Sequence, residues 1–272
     1  MFYSFILKIN ILENIFLPPY TGHFTYASFL NIVNKVNPTL AEQLYKPNTV
    51  KPFTVSSLMG NFKSFKNSIL LSKKEDYYIR ITILDGLLFS SIISIFLDDN
   101  FKHINVGGNQ FNVSKIIVTP KEHKYASFET WETFWNSASN DNKNIALKFM
   151  SPTTFKSGNR NFFLPIPEKV FKSIQKKFVI FTREFLKKDP TLDSDFFSKN
   201  IRIVRFENLS TNIVELKQGK QIGYTGKVYY QITNNDKFVI KYLNALANFA
   251  KYSGVGTKTT LGFGQTIKEN TI

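Results

Sequence analysis

Four glycines, Gly254, Gly256, Gly262 and Gly264, surround Lys258 and Thr259 in the stretch YSGVGTKTTLGFGQTI, residues 252–267. Glycine permits positive φ and lets backbone N–H groups approach a partner closely, so the run predicts a concave surface that holds phosphate. It is not a nucleotide loop. The pattern Gly-x-x-x-x-Gly-Lys-Ser/Thr is absent, and the preceding residues read as a helix rather than a strand, which also fails the dinucleotide fingerprint. Three histidines, His23, His103 and His123, are the side chains whose ordinary pKa, about 6.5, suits proton transfer near neutrality. The chain has no cysteine, which removes thiolate and disulfide chemistry and leaves packing to hold the fold. Carboxylates nowhere gather at metal-ligand spacing: Asp98-Asp99 reads as a helix end, and the DSD of residues 193–195 as a solvated loop.

The elements that must position these residues repeat. Residues 2–12 are apolar and strand-like, and after LPPYTG the segment Tyr26–Val36 places Phe29, Leu30, Ile32, Val33 and Val36 at helical spacing. Asn37-Pro38 stops that helix and TLAEQLY makes a second short one. KPFTVSSL and YYIRITIL (77–84) read as strands, LLFSSIISIFL as a buried helix or a strand, and residues 103–119 as a hairpin turning at Gly107-Gly108. This is the βαββαβ order of a ferredoxin-like domain over residues 1–124. Residues 125–143, with the helical ETWETFW, read as a linker. From 144 to 272 the order returns: NIALKFMS, PEKVFKSIQKKFVIFTREFLKK, NIRIVRFENLST, YTGKVYYQIT, DKFVIKYLNALANFAKYS and GQTIKE. The expected fold is therefore α+β, two tandem ferredoxin-like (RRM-like) domains, with the glycine-rich loop in the second.

At 272 residues and 43% hydrophobic content the chain buries a substantial core, and its net charge of +15 favours a polyanionic partner, nucleic acid or an acidic membrane surface. Coding bias towards Lys, Asn, Ile and Phe produces the same excess without binding, so charge alone leaves both open. Residues 126–272 carry +10 of the excess and are the likelier anion surface. The first residues are interrupted by Lys8, Asn10 and Glu13 and lack a small-residue cleavage site, and the apolar run Leu87–Leu97 is too short for a bilayer. The expectation is a cytoplasmic protein with no membrane anchor.

Four stretches, in order, resemble one family. ALANFAKYSGVGTKTTLGFGQ is similar to the C-terminal signature of the RAMP superfamily, and specifically of its CRISPR repeat-processing endoribonucleases, the Cas six family. NPTLAEQLYKPNTVKPFTVSSL (37–58), LKFMSPTTFKSGNRNFFLPIPEKVF (147–171) and YTGKVYYQIT resemble further members along most of the chain. The resemblance implies binding of the repeat in precursor CRISPR RNA. It also implies metal-independent cleavage by the 2′-hydroxyl on its own phosphate, giving 2′,3′-cyclic phosphate and 5′-hydroxyl ends. No cofactor is implied. The family commonly carries its catalytic histidine where this chain has Tyr45, just after LAEQL, and some members carry a phosphorane-stabilising lysine where this chain has Lys51. His23, in a segment where members also carry functional histidine or tyrosine, is then the expected general base, with Tyr26 a second candidate for the same pocket. Arg160, Lys227 and Lys258 are the expected phosphate contacts with the glycine loop, Lys156 a further one, and Asn109 and Lys115 on the hairpin would meet RNA near the cut. A second copy of the chain and the subunits of an interference complex are partners the resemblance leaves open. Two rivals stand beside this reading: a non-catalytic guide-RNA subunit of the same superfamily, supported by Tyr45, and a generic RNA-recognition protein, against which the aromatic RNA-recognition strand motif is missing.

Overall fold

The computed structural model describes residues 1–47, 49–96, 98, 101–158, 160–185, 192–216 and 219–270. They form two units, Met1–Phe128 with Thr260–Gly262, and Glu129–Thr259 with Phe263–Ile272. The first unit runs β1 (Phe2–Asn10), β2 (Ile15–Leu17), α1 (Gly22–Val36), α2 (Pro38–Tyr45), β3 (Phe53–Val55), β4 (Met59–Gly60), β5 (Lys63–Ser64), β6 (Ile69–Leu71), β7 (Tyr77–Ile83), α3 (Gly86–Phe96), β8 (His103–Val106), β9 (Asn109–Ile117) and β10 (Ser127–Glu129), at whose last residue the second unit begins. Its main sheet has the order β3-β7-β1-β9-β8, and a separate three-stranded sheet has the order β2-β6-β5.

Strand β1 alternates between two faces. Phe5, Leu7 and Ile9 join Ile79, Ile81 and Ile83 of β7 beneath Phe29, Ile32 and Val33 of α1 and Leu88 and Ile92 of α3. Each such side chain, fully buried, contributes roughly 1.5–3 kcal/mol. On the other face, Arg80 is 2% exposed and its Nε donates to Ser4 Oγ at 2.9 Å. Helix α1 stops where Pro38 begins α2, and Asn37 caps that second helix by accepting the Leu40 N–H at 2.9 Å.

The second unit runs α4 (Trp131–Ser137), β11 (Asn144–Thr153), β12 (Phe155–Ser157), β13 (Arg160–Phe162), α5 (Pro167–Thr182), α6 (Ser194–Asn200), β14 (Ile201–Leu216), β15 (Gly219–Ile232), α7 (Lys237–Ser253) and β16 (Thr266–Glu269). Its sheet order is β14-β15-β11-β16. In both units the first strand of the βαββαβ series lies between the third and the fourth, with the second outside the third. Both are ferredoxin-like, as the element order predicts. Ile145, Leu147 and Phe149 of β11 are buried, as are Val170, Ile174 and Phe178 of α5 and Leu243, Ala247 and Phe249 of α7. Helix α4 belongs to this packing, with Trp131 and Phe134 at 5.8 and 6.2 Å from the Phe178 ring.

Local expectations change in three places. Helix α1 starts at Gly22, four residues before the expected Tyr26, because Phe24 and Thr25 N–H groups already donate to Thr21 O, at 2.9 and 3.1 Å. Helix α3 is buried only along the stripe of Leu88 and Ile92, while Leu87 is 82% exposed. Asp193 is not part of a plain loop but caps α6, accepting the Phe196 N–H at 2.7 Å. Asp99 and residues 186–188, expected at a helix end and within a long helix, lie outside the described residues. Among the described residues no helix is long and apolar enough to cross a membrane.

Candidate functional site

The early start of α1 puts His23 inside its first turn. The hydroxyl of Thr21 accepts the Leu58 N–H at 2.9 Å and the Thr25 hydroxyl donates to Ser56 O at 2.7 Å, so two short side chains tie the helix entry to the chain following β3. His23 is half-buried with its ring 3.8 Å from that of Phe24. Tyr26, three residues on, shares a helix face with it. The Tyr26 ring stacks on Phe53 at 6.3 Å with the planes 8° apart. Burial raises the pKa of its hydroxyl, and Tyr45 raises it further, which places the two phenols in one electrostatic neighbourhood. Tyr45, the last residue of α2, is 71% exposed. Lys51 reaches back to donate to Lys46 O and, at 2.7 Å, to Thr49 Oγ1, and burial lowers its pKa. Tyr26 thus lies on α1 against Phe53 of β3, with His23 one turn before it, while Lys51 in the loop before β3 is tied to Lys46, the residue after Tyr45 at the end of α2. A phenol with a raised pKa stays protonated at neutrality, so this group offers proton donors, one cation and one imidazole.

Sequence reasoning passed over the residues beside them. The Tyr20 hydroxyl donates to Leu261 O at 2.7 Å, and burial holds its pKa far above the usual phenol value. A Cβ on Gly22 would lie 1.9 Å from Leu261 O, and one on Gly262, at φ +85°, 2.6 Å from Ser57 Oγ. The sequence carried no signal for this, because Gly22 falls in LPPYTG, a turn-like stretch in which glycine is ordinary.

In the second unit the glycine segment is closely packed. The N–H groups of Gly254, Val255, Thr257 and Gly264 donate to Ala250 O, Gly264 O, Thr154 O and Pro152 O at 2.9–3.0 Å, and that of Gly256 to Ser173 Oγ at 2.7 Å. The N–H groups of three of the four glycines, Gly254, Gly256 and Gly264, are therefore used within the unit itself instead of lining a phosphate nest. Thr259 is buried, and its hydroxyl accepts from Lys177 Nζ at 2.7 Å. The side chain of Lys258, at φ +59°, is half-exposed.

The same Lys177 ammonium donates to Ser253 O at the C-terminus of α7, where a cation is favoured. Burial, with Lys176 adding to it, holds Lys177 at about 7 instead of 10.5. Between those values the native chain binds fewer protons than the unfolded chain, so this group makes stability rise with pH across that window and adds no slope below about 7. Lys177→Met is expected to flatten that part of the curve of urea midpoint against pH. An unchanged slope would mean that Lys177 titrates normally.

The expected RNA contacts are distributed unevenly. The hairpin of β12 and β13 pairs Ser157 with Arg160 and exposes both Arg160 and Lys156, while Lys169 Nζ reaches Ser157 Oγ at 3.2 Å. Lys227 is not an open cation: its Nζ is 2.9 Å from Glu269 and 3.9 Å from Glu207, and the Tyr229 hydroxyl and Glu269 raise its pKa. Lys115 is ion-paired with Glu122. Asn109 donates to Gly107 O at 3.1 Å within its own turn. His103 is exposed at the start of β8. His123 is half-buried at 5.4 and 5.5 Å from the rings of Tyr78 and Tyr125, and burial followed by Lys124 and Arg80 lowers its pKa.

The family model described as CRISPR Cas6 N-terminal domain matches residues 1–136, and that described as CRISPR-associated endoribonuclease Cas6 matches residues 147–266. The chain belongs to the Cas6 family. Cas6 of Mycobacterium tuberculosis is 29% identical over 125 residues, 46% of this chain and 38% of that protein; Cas6 of Streptococcus thermophilus is 26% identical over 123 residues, 44% and 48%. The matched stretches thus span less than half of either relative. A Thermus thermophilus Cas6 product complex superposes over 99% of both chains, with a TM-score of 0.82 and 23% identity. A Cas6-related protein from Pyrococcus furiosus covers 100% of both chains with a TM-score of 0.66 and 15% identity. These similarities establish the Cas6 fold, a pair of ferredoxin-like units.

Proposed function

We propose that the chain binds the repeat of a precursor CRISPR RNA and cuts one phosphodiester in it without a metal ion. The observation that carries this reading is His23 and Tyr26 on one face of α1 at its entry, with Lys51 tied to Lys46 beside Tyr45 at the end of the next helix, in a chain of the Cas6 family. In the proposed step the 2′-oxygen bonds to its neighbouring phosphorus as His23 takes its proton. The P–O5′ bond breaks and the 5′-oxygen takes a proton from the Tyr45 hydroxyl, with Tyr26 able to orient the phosphate. Lys51 exchanges its backbone acceptor for the phosphorane oxygens. Each acid or base role is worth roughly 10²–10⁴-fold.

RNA phosphates are then held by Arg160 and Lys156 on the exposed hairpin and by Lys258, with Thr259, Gly254, Gly256, Gly262 and Gly264 shaping the segment behind it. Lys227 and Lys115 take part by exchanging Glu269 and Glu122 for phosphate. Tyr45 in the usual histidine place favours one second reading, a RAMP subunit that retains guide RNA without cutting it. Incubation with the repeat RNA of the same locus in EDTA separates the two. The intact substrate should be cut to a 2′,3′-cyclic phosphate, and the substrate with a 2′-deoxy sugar at the scissile nucleotide should stay whole. Cleavage of both substrates would overturn the mechanism, and cleavage of neither, with binding intact, would favour the non-cutting subunit.

A further inference from the structure

The sheet β2-β6-β5 carries large apolar side chains on both faces. Leu17, Ile69 and Leu71 point into the core, which leaves the alternate positions for solvent. Two of the three residues there, Phe16 and Leu70, are apolar and the third is Lys63. Phe16 faces Leu70, which faces Lys63 across the next ladder, so one row crosses all three strands. Phe16 is 61% exposed and Phe65, directly after β5, is 46% exposed; their rings lie 6.0 Å apart, inclined by 54°. Lys63 Nζ lies 5.9 Å from the Phe65 ring centroid. Single exposed apolar residues are ordinary, but adjoining ones on a surface sheet face mark an interaction site.

Charge indicates the occupant. Residues 15–17 and 63–71 include Lys63 and Lys66 and no carboxylate, within a chain of net charge +15. Two tilted aromatic rings beside the Lys63 ammonium match what an unpaired nucleotide requires, a π-face for the base and a cation for its phosphate. A base-paired strand hides its faces and gains nothing from such rings.

We propose that Phe16 and Phe65, with Lys63, form a stacking platform for an unpaired segment of RNA, separate from the residues around His23. The inference rests on the reading that the chain binds RNA. The test compares a labelled single-stranded oligoadenylate with an RNA duplex of equal length, and adds the repeat RNA for cleavage. Phe16→Ala and Phe65→Ala should each weaken the single strand by roughly 5- to 100-fold and leave the duplex unchanged, while Phe16→Trp keeps the wild-type affinity. Lys63→Ala should weaken both RNAs and lower the salt dependence by about one counterion. Because the rings are exposed, thermal midpoints should hold, which separates lost stacking from lost fold. Wild-type single-strand affinity in both alanine variants overturns the platform while RNA processing stands. Altered self-association with unchanged RNA affinity also overturns it, by making the face a protein interface. Failure of the unsubstituted protein to bind any of the RNAs removes the RNA reading and the platform with it.

Discussion

The Gly264→Ala variant is expected to lose at least about 3 kcal/mol of stability, the sum of left-handed backbone strain and a steric conflict that no rotamer relieves. Gly264 sits at φ +65°, and a Cβ there would lie 1.9 Å from Val255 O, an atom held because that same residue's N–H donates to Gly264 O at 2.9 Å. Backbone blocks the methyl group from backbone, so relief requires opening the segment. Gly108→Ala is the control: its φ is +85°, but nothing lies within 4 Å of the added carbon, so only the strain of about 1–2 kcal/mol remains. Urea midpoints of the two variants measure the difference. Equal losses would mean that conformation alone, and not the close approach, explains the glycine.

His23→Ala is expected to slow cleavage by roughly 10²–10⁴-fold with binding of the repeat retained, since a general base acts in the transition state. The wild-type rate should rise with pH as imidazole loses its proton, since only the neutral ring can take the 2′ proton. Tyr45→Phe removes one hydroxyl from an exposed side chain without disturbing packing, and it should lower kcat by a factor within the same range if Tyr45 protonates the leaving oxygen. Lys51→Met should act on kcat more than on KM, because its ammonium is held by Lys46 O and Thr49 Oγ1 until negative charge builds on the phosphorane oxygens. Single-turnover rates on the intact repeat check all three. An undiminished rate in His23→Ala removes it from the chemistry, and a pH profile flat through imidazole's range excludes it as the titrating base.

Periodicity was the most legible part of the chain, because it records which face of an element meets the core. Phe29, Ile32 and Val33 on α1 and Leu243, Ala247 and Phe249 on α7 are buried where helical spacing places them. The hairpin of β8 and β9 turns at Gly107 and Gly108, both at positive φ, as that glycine pair predicts. The site was legible as a neighbourhood and less so as an arrangement. His23 and Tyr26 share a helix face only because α1 starts at Gly22, and that start depends on Thr21 and Thr25 bonding to residues more than thirty positions away. The glycine run shows the limit most clearly. Its composition marked it as special, but composition is equally compatible with N–H groups turned outward to phosphate and turned inward to Thr154, Pro152 and Ser173.

By itself the sequence determined the order and type of the main elements, the two ferredoxin-like repeats and the family, since these rest on local pattern and on motifs read along the chain. Only the tertiary structure decided that Lys227 faces Glu269, that Thr259 answers to Lys177, that Gly22 must lack a side chain and that Phe16 and Phe65 meet at the surface. Each of those facts depends on strand register or on loop approach. Register and approach are set by packing between segments distant in the chain, and separation along the sequence carries no record of them.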